Sequence, residues 1–242
     1  MEPVGFAVGV IGLAGLFTNV IDCLNYIHIG KNFGGDFETN LIKLDNAMLK
    51  LSRWGEAVGL SGSLSDATYL PSWIKAEEAE TAKRTLGQIL NLFDKAAKQA
   101  EKFKKEHEGT HEEYNEEKDL DGSVKTFHKV MRDKCLGRQN QTKKSDKFRF
   151  AVYDRDHLKT LIEQITSLTD DLVNLFPERP AVAKKEKELC EDEVKALTIS
   201  LKDLAEMIKE NDKTLASALA EVLKPAVSLV GVLYLMLQLT SC

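Results

Sequence analysis

His107 and His111 stand four residues apart, the spacing at which two imidazoles on one helix face can bind a single metal ion. Gly109 lies between them and glutamates surround them, so the pair is expected in a solvated turn and no metal is assigned. The four cysteines, Cys23, Cys135, Cys190 and Cys242, form no C-x-x-C pair and have no histidine at zinc-ligand spacing. Free thiols in a reducing compartment are expected. The sequence contains no glycine-rich phosphate loop, no G-x-S-x-G elbow and no H-E-x-x-H. No catalytic residue and no cofactor is assigned, and the chain is not expected to be an enzyme.

The chemistry that the residues do favour is partition between protein and hydrocarbon. "PVGFAVGVIGLAGLFTNVI", residues 3–21, has no charged side chain, and the first basic one is Lys31, so a secretion signal with a positive leader is not expected. As a helix the run would reach roughly 28 Å, close to the roughly 30 Å of a bilayer's hydrocarbon. Its strongly apolar residues are Val4, Phe6, Val8, Val10, Ile11, Leu13, Leu16, Phe17, Val20 and Ile21. Together they favour insertion by only about 3 to 6 kcal/mol. Pro3, Thr18, Asn19 and the glycines oppose it, leaving insertion near balance: the segment suits either a protein core or lipid. Gly5 and Gly9 form a G-x-x-x-G, and Gly12 and Gly15 add small faces for close helix packing in either setting.

A second surface candidate is basic. Residues 125–149 hold nine lysines and arginines against Asp133 and Asp146, and Lys143, Lys144, Lys147 and Arg149 form its densest part. Such a patch can face anionic lipid headgroups, or simply balance the acidic stretch at 106–121. With an overall net charge of −5, the chain is not expected to bind nucleic acid.

The elements that must position these segments read as helices. The chain has 242 residues, 43% hydrophobic and 29% charged, with only five prolines, which suits an all-α globular protein. Leu41, Leu44, Met48, Leu51 and Val58 step by threes and fours, predicting an amphipathic helix that ends near Gly59. Residues 59–73 read as a loop, and 74–107 as a long helix with Leu86, Ile89, Leu90 and Phe93 inward. Residues 106–123 carry eight acids and are expected to build no core. Helical spacing returns at 124–136, a polar loop follows, and "FRFAVY" at 148–153 alternates like a short strand. Leu158 to Leu175 form one further helical stripe, stopped by Pro177 and Pro180, and Cys190 to Ile208 another, read as a single helix. The uncharged segment 225–242 is expected to be a last helix packed on the same domain, with a membrane anchor as its alternative. The expected architecture is a multi-helix bundle of six to nine helices with a short two-stranded β element, residues 1–224 forming one domain.

"EPVGFAVGVIGLAGLFTNVIDCLNYIHIGKNFGGDFE" running into "LDNAMLKLSRWGEAV" resembles the start of the HeLo domain, the N-terminal domain of fungal heterokaryon-incompatibility proteins. Within that family it is similar to members linked to fungal pathogenicity. The carriers are G-L-F at 15–17, Asp22-Cys23, Tyr26, Gly30, F-G-x-D-F-E at 33–38 and "LSRWGEAV" at 51–58; "ILNLFDKA" at 89–96, "AVYD" at 151–154 and "NLFP" at 174–177 extend the likeness over about the first 220 residues. The resemblance implies a helical bundle that is cytoplasmic at rest and can form a homodimer or oligomer. It also implies that an activating protein partner can release the N-terminal helix into the plasma membrane, where the assembly leaks ions and kills the cell. Asp22 then matches a position that sets the extent of the membrane segment, and Asn32 lies in the adjoining variable region. The glycine- and asparagine-rich amyloid motif that triggers several family members has no counterpart here, which favours the alternative of a non-lytic interaction or dimerisation module.

Overall fold

The computed structural model describes residues 12–29, 36–61, 73–106, 116–120, 122–138, 150–152, 155–176, 179–197 and 199–222. In chain order these form α1 (Leu13–Tyr26), β1 (Ile27–Ile29), α2 (Asp36–Ala57), α3 (Ala76–Glu106), α4 (Glu116–Asp119), α5 (Gly122–Arg138), β2 (Phe150–Val152), α6 (Arg155–Val173), α7 (Pro180–Ala196) and α8 (Leu201–Ile208). A further helical run occupies 213–222. The bundle is all-α apart from β1 and β2, which pair in parallel with Ile27 opposite Phe150, His28 opposite Ala151 and Ile29 opposite Val152.

α2 is the organising helix, packed against α1, α5, α6 and α7. Every member of its predicted seam, Leu41, Leu44, Met48, Leu51 and Val58, is buried. Its end is a Schellman motif: Gly59 adopts φ 83°, its N–H reaches the Glu56 carbonyl at 3.1 Å, and the Leu60 N–H reaches the Gly55 carbonyl at 2.8 Å. α3 buries Leu86, Ile89, Leu90 and Phe93 as its spacing predicts, and packs against α1 and α6.

Two expectations need correction. The acidic stretch was expected to contribute nothing to the core, yet Leu120, directly after α4, is buried within it: one leucine among acids suffices once a short helix turns it inward. The stripe from Cys190 to Ile208 is not one helix. It breaks between Ala196 and Leu201, where Ser200 adopts an extended backbone and its Oγ accepts the Asp203 N–H at 3.1 Å, capping α8. A serine followed three residues later by an acid offers the backbone a new start, and here that local bond wins over continued apolar spacing.

Charged residues also lie inside. Arg53 of α2 meets Asp212 (Nη2 to Oδ2, 2.6 Å) and Glu193 of α7 (Nε to Oε2, 3.2 Å), while Arg138 of α5 donates from Nη1 to Glu193 Oε1 at 2.6 Å and to Ser52 Oγ at 3.3 Å. All four charged groups are buried. Burial alone would lower the pKa of the Arg53 guanidinium, but Glu193 and Asp212 outweigh it and hold the group above its ordinary value. Asp212 in turn accepts the Leu215 N–H at 3.0 Å and so caps the run at 213–222. Four elements are thereby tied at one point.

Two predictions follow from this network. Removing one partner strands buried charge, so Glu193→Ala is expected to cost about 3 to 5 kcal/mol in a urea titration. Nearby, burial raises the carboxyl pKa of Glu186, with Arg53 opposing and Asp212 and Glu193 adding to the shift. A raised carboxylate pKa means that the ionised form is disfavoured in the folded state, a penalty absent at low pH and felt as pH rises through the folded pKa. Glu186→Gln is therefore expected to raise Tm at pH 7, and that gain should vanish on acidification below the ordinary carboxylate range.

Candidate functional site

α1 holds Leu13 to Ile21 of the long uncharged run and continues through Asp22 to Tyr26, and its residues are enclosed rather than displayed. Leu13, Leu16, Phe17, Val20, Ile21 and Leu24 repeat at helical spacing and are all buried, and so are Ala14, Thr18, Asp22 and Cys23 on the remaining faces. Only Gly12, Gly15, Asn19 and Asn25 are half-buried among the residues whose burial is described. An apolar stripe this well covered belongs in the centre of the bundle, and the polar Thr18, Asp22 and Asn25 lie together on another side of the helix. Val4, Phe6, Val8, Val10, Ile11, Gly5, Gly9 and Asn32 lie outside the described residues, as do Lys143, Lys144, Lys147, Arg149, the His107 and His111 pair and the segment 225–242.

The walls of this seat are α2, α3 and α5. Phe17 meets the Trp54 ring edge-on, with centroids 6.4 Å apart; Trp54 stacks on Phe176 at 6.3 Å; Phe176 meets Trp73 edge-on at 5.5 Å. The Arg179 guanidinium caps the series 4.8 Å over the Trp73 ring. Such offset and edge-on pairs each contribute about 0.5 to 1.5 kcal/mol beyond area burial. Next to Trp54, Gly55 lets α1 approach: a Cβ at this position would sit within the ring of Phe17. Gly12 is the N-cap of α1, with extended backbone and no side chain to cap the helix.

Electrostatics mark the other end of α1. Arg132 of α5 donates to the Asn25 carbonyl oxygen from Nη2 at 2.8 Å, and to Asn25 Oδ1 from Nε at 3.0 Å and Nη2 at 2.8 Å. Burial, with the neighbouring charge of Asp22, pushes the Cys23 thiol far above its ordinary range. Cys135 and Cys190 are pushed up to about 12, chiefly by burial. Among the described residues these three thiols are free, as expected, while Cys242 lies outside them.

Energetics decide what α1 can do. Exposing its six large apolar side chains to water would cost about 9 to 18 kcal/mol at roughly 1.5 to 3 kcal/mol each, more than the whole stability of many domains. Release into water is excluded on that scale; transfer to another apolar medium is not. Among the described residues no helix is long and apolar enough to cross a membrane. α1 itself, with 14 residues, spans about 21 Å.

Sequence reasoning located the buried stripe of α1 but missed its polar attachments. Arg132 and Arg138 were counted as part of a basic surface patch, and both are instead engaged within the bundle, Arg138 with Glu193 and Arg132 with Asn25. The available signal was their position beside Phe127, Met131 and Cys135, the buried face of α5.

The HeLo family model, described as "Prion-inhibition and propagation", matches residues 5–207. Heterokaryon incompatibility protein S of Podospora anserina (strain S) and heterokaryon incompatibility protein s of Podospora anserina are each 33% identical over 207 residues, covering 84% of this chain and 70% of the relative. The solved HET-S N-terminal domain aligns with a TM-score of 0.77 at 28% identity, over 93% of this chain and all of that domain. A double mutant of the HET-s N-terminal domain aligns with a TM-score of 0.73 at 28% identity, over 87% of this chain and 97% of the domain. With the family match spanning most of its length and the bundle shared with solved domains of that kind, the chain belongs to the HeLo family.

Proposed function

We propose that this protein is a latent membrane-perturbing member of its family, a non-enzymatic bundle whose α1 segment leaves its seat and enters a bilayer on activation. The observation that carries this reading is the apolar stripe of α1, Leu13, Leu16, Phe17, Val20, Ile21 and Leu24, which suits hydrocarbon as well as it suits the core. The kinship with heterokaryon incompatibility proteins supports it. In this reading the resting protein is cytoplasmic, anionic lipid alone shifts the balance far enough for measurable insertion, an activating protein partner drives it further, and several copies assemble at the plasma membrane. Asp22 marks the lipid-facing limit of the segment, and the basic residues Lys143, Lys144, Lys147 and Arg149 meet headgroups.

A second reading is favoured by the depth of the same burial: a helix held this firmly suits a non-lytic dimerisation or protein-binding module in which α1 never moves.

The two readings separate in a dye-leakage assay with anionic liposomes. The intact chain is expected to release dye, and Leu13→Lys, which puts a charge where the helix must enter hydrocarbon, to abolish release, since a lysine at mid-membrane costs about 2.5 to 3.5 kcal/mol. Gly55→Ala leaves α1 unchanged but drives a methyl group against Phe17, so it should leak at lower lipid concentration than the parent. Equal, background-level leakage from all three chains would favour the non-lytic module.

A further inference from the structure

The last turn of α1 contains no basic residue, so nothing in the helix itself answers the negative end of its dipole, and Asp22 worsens the imbalance. The compensating cation comes from a different element. Arg132 reaches across from α5 and gives hydrogen bonds to both the backbone carbonyl and the side-chain oxygen of Asn25. A carbonyl in the closing turn of a helix has no donor within its own helix, and in the docked state this guanidinium supplies one.

Arg132 is itself held. One turn earlier on α5, His128 Nε2 lies 3.5 Å from Arg132 Nη1, and His128 Nδ1 lies 2.8 Å from both carboxylate oxygens of Asp45 on α2. With the proton on Nδ1 donated to Asp45, Nε2 faces the guanidinium as an acceptor. Asp45 and His128 are both buried, where such bonds are strengthened and a missing partner is costly. The order Asp45, His128, Arg132, Asn25 therefore runs from the organising helix, through α5, to the end of α1.

We infer that this relay is the latch that sets how readily α1 leaves the bundle, with Arg132 as the positioning residue and the Asp45 and His128 pair as its support. Every member except Asn25 lies outside α1. Changing it alters the docked state while leaving the length and apolar surface of the departing helix untouched. The consequence in membranes rests on the release reading above; the latch does not.

The test is amide hydrogen exchange on the full chain, free of lipid. Arg132→Ala is expected to speed exchange across Val20 to Leu24 by about tenfold or more, the scale of a lost charged hydrogen bond. Amides of α7 should stay within about twofold of the parent, as distant independent sites do. Arg132→Lys, a cation without the fork, should recover part of the protection. Asn25→Ala combined with Arg132→Ala should exchange no faster than the faster single variant, because both remove one interaction. Unchanged exchange in α1, equal acceleration in every helix, or additive effects of the two substitutions would overturn the latch. Anionic vesicles then form a separate arm: Arg132→Ala should leak at lower lipid concentration than the parent. If α1 exchange rises as stated and no variant leaks, the latch stands and the membrane reading falls.

Discussion

The enclosure of α1 is the constraint to which the rest of the molecule is fitted. Its side chains are buried on almost every face, polar Thr18 and Asp22 included, so the bundle must supply walls on all sides: α3 makes the most extensive contact, and α2 and α5 close the rest. The closest of these approaches passes over Gly55, where the missing side chain leaves room for the Phe17 ring. From Phe17 the aromatic series through Trp54, Phe176 and Trp73 carries contact to the connection between α6 and α7. The seat of one short helix is thus built by segments from most of the chain.

Two sets of buried polar groups tie the helices together, and α2 carries the base of both. Arg53, Glu193, Asp212 and Arg138 join α2, α7, α5 and the run at 213–222 without touching α1. Breaking that set would loosen the protein as a whole. The other set begins at Asp45, joins α2 to α5 through His128, and ends on α1 at Asn25. Buried charge is weak evidence for stability, but its geometry here shows which elements each set ties together.

Much of the bundle was legible because apolar spacing is a strong signal in long helices. The seams of α2, α3 and α6 and the brief strand at β2 lie where their residue patterns put them. The misses share one cause, the power of a single polar group over local periodicity. Ser200 ends a stripe that continues past it in apolar spacing, because a hydroxyl aimed at the Asp203 N–H starts a new helix. Glu193 lies between Cys190, Val194 and Leu197 on an inward stripe, and Arg132 and Arg138 on the inward face of α5, but spacing alone does not say which distant partner a charge will find. For the candidate site, sequence identified the helix and its apolar face; the groups that retain it depend on three-dimensional pairing between residues more than a hundred positions apart, such as Arg132 with Asn25.

The parallel pairing of β1 with β2 carries a consequence for biosynthesis. Ile27 and Phe150 are 123 positions apart, and α5, which seats the end of α1, is also made late. At roughly 5 to 20 residues per second, a ribosome needs on the order of 6 to 25 s to deliver the second strand after the first. Throughout that interval a greasy nascent helix has neither its strand partner nor its full enclosure. The bundle can close over it only after that delay, so the order of synthesis leaves the stickiest helix waiting longest for its cover.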